Sequence, residues 1–100
     1  MASIVRLATE TYVEGDYNAT LDLAEEMIKR EPAHAEALRL REKSVEQLGR
    51  LAEHATFHGN LSASLNLLEQ AVSYWQHGMN YAREGDPHHE ELTAKLKRYR

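Results

Sequence analysis

Cysteine is absent from this chain of 100 residues, which excludes disulfides, thiol nucleophiles and cysteine-ligated zinc. Proline occurs only twice and glycine five times. No run alternates apolar and polar residues as a half-buried strand does, so the pattern and punctuation of a β-fold are both missing. No window approaches the roughly 18 to 20 unbroken apolar residues of a membrane span. The opening Met1-Ala2-Ser3 lacks the basic and apolar regions of a signal peptide, so the expectation is a soluble chain, cytoplasmic rather than exported. Positive charge is also short: twelve Lys and Arg against sixteen Asp and Glu leave a net charge of -4. That is the wrong sign for a general nucleic-acid binder. The one basic cluster, Lys95, Lys97, Arg98 and Arg100, falls at the end of the last expected helix, where it complements the helix dipole.

What is present is helical periodicity, and the expected fold class is all-α, a single domain of about five helices in antiparallel hairpins. Helix one is expected from Ser3, a good cap, to Glu14, with Ile4, Leu7 and Ala8 inward. Gly15-Asp16 breaks it. Helix two follows over Tyr17 to Arg30, with Leu21, Ala24, Met27 and Ile28 inward, and Glu31-Pro32 closes it because the residue before proline avoids the helical region. Helix three begins near Ala33 or His34 and continues through Gly49, whose cost of about 1 kcal/mol relative to alanine a buried stripe offsets. The next break is expected at His58-Gly59-Asn60. Beyond it, Leu61, Leu65, Leu68, Val72, Trp75 and Met79 recur in steps of three and four along one stripe. That stripe predicts an elongated fourth helix running to about Arg83. Gly85-Asp86-Pro87 ends it, and a last helix covers His88 to about Tyr99.

The first hairpin resembles a tetratricopeptide repeat. Leu7, Ala8, Tyr12, Gly15-Asp16-Tyr17, Pro32 and Ala35-Glu36-Ala37 stand near that pattern's spacing, with Thr20 and Met27 where small alanines are usual. The period is not kept, since Gly59-Asn60 lies 44 residues after Gly15-Asp16. A second resemblance covers about Gly15 to Leu68. The segments Gly15-Asp16-Tyr17, Glu31-Pro32, Ala35-Glu36-Ala37, Glu46-Gln47-Leu48-Gly49 and Ala52-Glu53-His54-Ala55-Thr56-Phe57 resemble, in order, the alkyl sulfatase dimerisation domain. This is an all-helical module that follows the catalytic domain of metallo-β-lactamase-fold hydrolases. The chain departs from that family at His58-Gly59-Asn60-Leu61, where an Arg-Asn pair and an aromatic-Tyr-Leu run are usual. The resemblance implies a non-catalytic module that pairs subunits, contributes no metal ligands and is joined to a hydrolase domain.

The residues themselves offer little chemistry. No nucleophile elbow, Ser-His-Asp order, phosphate loop or His-x-His-x-Asp-His cluster occurs. Carboxylate pairs such as Glu25-Glu26 lie outside the apolar rows and read as solvated faces. His54 and His58, four apart, share a helix face and could hold zinc, but no third ligand stands at an obvious spacing, so no metal or other cofactor is expected. The expected activity is therefore binding, not catalysis, and the expected partner is a second copy. Leu65, Leu68, Val72, Trp75 and Met79 are the candidate interface, because Trp and Met are enriched at such surfaces. The alternative is a tetratricopeptide-like adaptor whose groove takes a peptide or another protein.

Overall fold

A computed structural model describes residues 2–99, with side chains from residue 3 onward; Arg100 of the basic cluster lies outside the described residues. Among the described residues there are five α-helices: α1 Ala2–Val13, α2 Tyr17–Arg30, α3 Ala35–Ser64, α4 Leu68–Met79 and α5 Pro87–Tyr99. Among the described residues there is no strand, and no helix is long and apolar enough to cross a membrane. The all-α fold and its packing of neighbouring helices are as the periodicity indicated. The chain divides after Leu48 into two compact units, and α3 supplies a segment to each.

In the first unit α1 packs along α2. Ala8, Ala24, Met27, Ala37 and Leu40 form its buried centre, with Ile4, Val5, Tyr12, Leu23 and Ile28 packed around them. Small residues at Ala8 and Ala24 bring the helix backbones close, and the flexible Met27 fills the gap they leave. The turn is a Schellman motif. Gly15, at φ +84°, donates its amide to Tyr12 O (3.1 Å), and Asp16 donates to Thr11 O (2.9 Å), so the last carbonyls of α1 are satisfied. The Asp16 carboxylate then caps α2 by accepting from the Ala19 amide (3.2 Å), which satisfies a donor the helix itself cannot. His34 does the same for α3, Nδ1 accepting from the Ala37 amide (3.2 Å).

In the second unit α4 packs along α5, and Ala52, Ala71, Trp75, Ala82 and Leu92 form the centre, so that the rear of α3 closes the group. Asp86 caps α5 through the His88 amide (2.8 Å), with Pro87 at the first helical position, where its missing N–H costs nothing.

The break expected at His58-Gly59-Asn60 does not occur: α3 runs through it to Ser64. Gly59 is small for a packing reason, since a Cβ there would overlap the Trp75 indole. Asn60 is held as well, its Oδ1 accepting from Trp75 Nε1 (3.2 Å) and its Nδ2 donating to Glu91 Oε2 (3.1 Å). The turn comes at Leu65-Asn66-Leu67, where Asn66 takes φ +62°, a left-handed conformation that asparagine tolerates better than most residues. The long helix expected from Leu61 to Arg83 is therefore two elements, with Leu61 near the end of α3 and Leu68 at the start of an α4 only 12 residues long.

Candidate functional site

The two hairpins share a local plan at an offset of 51 residues. Asn66 donates to Ala63 O (3.0 Å) and Leu67 to Ser62 O (2.9 Å), the same pair of bonds that Gly15 and Asp16 make. The buried positions correspond as well: Ala8 with Gly59, Thr20 with Ala71, Ala24 with Trp75, and Met27 with Gly78. The volumes are redistributed, because the large residue moves from Met27 to Trp75 while its counterparts shrink to glycine. Gly78 lets α4 approach closely, since a Cβ there would sit 3.0 Å from both Ala55 Cβ and Leu92 Cδ1.

This correspondence makes the first hairpin an internal reference for the second. On the solvent side of α1 and its turn stand Arg6, Glu10, Glu14 and Asp16, all exposed, together with Val13 and with Leu7, which the periodicity placed inward and which is half exposed because no helix covers it. The second hairpin matches the four charged residues with Phe57, Leu61, Leu65 and Leu67, also exposed. Four positions that are charged in one hairpin are apolar in the other. Phe57 and Leu65 keep 62% of their surface in solvent and Leu61, Leu67 and Leu68 keep 47%. Large side chains of this kind span roughly 150 to 250 Å² each, so the row presents on the order of 500 Å² of apolar surface. That is the size of the largest apolar patch on an ordinary monomer, which is often functional.

Aromatic contacts line one side of the row. His54 and His58 have ring centroids 4.2 Å apart, Phe57 meets His58 edge-on at 5.5 Å, and His58 stacks on Tyr74 of α4 at 5.5 Å. On a helix of 3.6 residues per turn, His54, Phe57, His58, Leu61 and Leu65 fall within one stripe about 100° wide.

The structure divides the sequence-based interface set. Leu65 and Leu68 are exposed and lie in the row. Val72 and Met79 are partly buried against the second core. Trp75 has no exposed surface and so is a core residue, not an accessible anchor. Its indole also carries Lys95 Nζ 5.5 Å from the ring centroid and lies 5.5 Å from the Tyr99 ring. Periodicity put Trp75 on the right stripe but could not say whether α5 or a partner covered it. The expected turn at His58-Gly59-Asn60 set Phe57 apart from Leu61 and Leu67, which α3 and the turn at Asn66 bring into one row.

Among the described residues no group of three His, Cys, Asp or Glu is placed to hold a metal ion. Concave surfaces at the α2–α3 and α3–α4 connections are each lined by five consecutive residues, Arg30 to His34 and Asn66 to Gln70. Neither brings polar groups together from separate elements. Comparison with protein-family models, with curated proteins and with solved structures finds no match for this chain.

Proposed function

We propose that this chain is a non-catalytic helical self-association module that forms a homodimer through the row Phe57, Leu61, Leu65, Leu67 and Leu68. The observation that carries the reading is the replacement of Arg6, Glu10, Glu14 and Asp16 by apolar residues at the same places of the second hairpin. A solvated face has no need of that exchange, and a covered one does. In a two-fold dimer the patch meets itself, so about 500 Å² from each copy gives on the order of 1,000 Å² in total, the lower bound for a specific interface. The buried small residues and glycine turn of the first hairpin support a tetratricopeptide-like description of it. The resemblance to the alkyl sulfatase dimerisation domain supports the same role, in which the module holds together two copies of an attached hydrolase domain.

The test is light scattering on a size-exclusion column over a dilution series. A dimer is expected to persist to low micromolar concentration, and Leu61→Glu, which restores the acidic residue found at Glu10, is expected to weaken it at least tenfold with helical circular dichroism unchanged. A folded wild-type monomer across the series overturns the proposal. A monomer that becomes protected only with an added peptide or protein replaces it with the adaptor reading.

A further inference from the structure

We propose that His54 and His58 form a two-nitrogen half-site for a zinc-class divalent ion, and that the same pair from a second copy completes the coordination. The inference rests on the self-association reading, because it needs two copies facing each other along this stripe. Histidines four apart on one helix face are the spacing by which a single helix supplies two nitrogens to zinc. Here their rings are already adjacent, with centroids 4.2 Å apart. Tetrahedral zinc with Zn–N bonds of about 2.0 Å sets its ligand nitrogens roughly 3.3 Å apart, a separation of the same order as that between these two rings. His58 is held in place by stacking on Tyr74, so less rotamer freedom is lost when it ligates. His54 is exposed and offers an open approach.

Two nitrogens are half of a tetrahedral set, and no third ligand stands beside them among the described residues. Beside them stand the exposed Phe57 and Leu61, with Arg50 one turn before His54 on the same helix face and Tyr74 stacked on His58. A two-fold axis running along the stripe sets Phe57 and Leu61 against their own copies and brings a second His54 and His58 to the same ion. The ligands are neutral imidazoles, so binding moves no electrons, and any proton on a coordinating nitrogen is released to solvent. The corresponding residues of the first hairpin are Ser3 and Leu7, so the pair belongs to the second hairpin alone.

The experiment is sedimentation velocity and titration calorimetry on the full untagged chain, stripped with EDTA and then supplied with zinc chloride. Expected are one zinc per two chains and a dimer dissociation constant lowered at least tenfold by zinc. Changing His54→Ala should abolish both the one-per-two-chains zinc binding and the zinc effect on association. The double variant His88→Ala with His89→Ala, which removes the other adjacent histidines, should keep it. One zinc per chain without a change in association overturns the inference, as does no zinc binding or a zinc effect that survives His54→Ala. A dimer indifferent to zinc overturns this inference alone and leaves self-association standing. A monomer with and without zinc overturns both. A monomer in EDTA that dimerises on adding zinc overturns metal-free pairing through the apolar row and supports the half-site as the source of association.

Discussion

Gly49 and Gly59 lie ten residues apart in α3, and replacing each with alanine should move stability in opposite directions. At either position alanine removes the conformational freedom of glycine in a helix, a gain of about 1 kcal/mol. At Gly49 nothing lies within 4 Å of the added Cβ, so that gain is kept. At Gly59 the Cβ overlaps the Trp75 indole, and Trp75 is fully buried with no free direction in which to retreat. Forcing a methyl into such a core costs roughly 1–3 kcal/mol. Displacing the ring also endangers the Nε1 donation to Asn60 Oδ1 at 3.2 Å, whose loss costs about 1 kcal/mol more. The net for Gly59→Ala is a loss of about 2 kcal/mol. With roughly 4–8 °C per kcal/mol for a domain of this size, Gly49→Ala should raise the thermal midpoint by about 5 °C and Gly59→Ala lower it by about 10 °C. Circular dichroism melts, with indole fluorescence reporting on the Trp75 environment, read both. A Gly59→Ala chain as stable as Gly49→Ala would refute the close approach of Trp75 to α3.

Two further substitutions test the second hairpin. Trp75→Phe keeps a ring but deletes the donor to Asn60, leaving a partly buried acceptor without its partner. It should cost about 2 kcal/mol in denaturant unfolding, and a loss below about 0.5 kcal/mol would show that the indole bond is not formed. Leu67→Asp introduces the residue that Asp16 supplies in the first hairpin, on nearly the same backbone, φ -93° and ψ 67° against φ -86° and ψ 72°. A new cap on the Gln70 amide contributes about 1 kcal/mol, which offsets a similar loss from the half-buried leucine. Monomer stability should therefore stay within about 1 kcal/mol while light scattering shows weaker association; an undiminished dimer would remove Leu67 from the interface.

Much of the fold was legible because it follows from local chemistry. The bounds of α2, Tyr17–Arg30, follow from Gly15-Asp16 before it and Glu31-Pro32 after it, and the continuation of α3 through Gly49 follows from the apolar positions on both sides. The second hairpin was misread for a tertiary reason. Glycine in a chain carries two meanings, backbone freedom and absence of a side chain, and sequence shows only that it is glycine. At Gly15 the first applies, with φ +84°; at Gly59 the second applies, because an indole occupies the space a Cβ would fill. The true turn rests on Asn66, whose left-handed backbone leaves no periodicity signal between Leu65 and Leu67.

The candidate surface shows the same division. The spacing of apolar residues determined, without coordinates, that this is an all-helical chain and that an apolar stripe runs through its second half. Which of those residues face solvent was decided by tertiary packing alone. Trp75 and Leu68 are seven apart on one helical stripe, yet α5 and the small Gly59 enclose the first, while the turn at Asn66 leaves the second open. Periodicity fixes the direction a side chain takes from its own helix, and burial depends on what another helix brings to meet it.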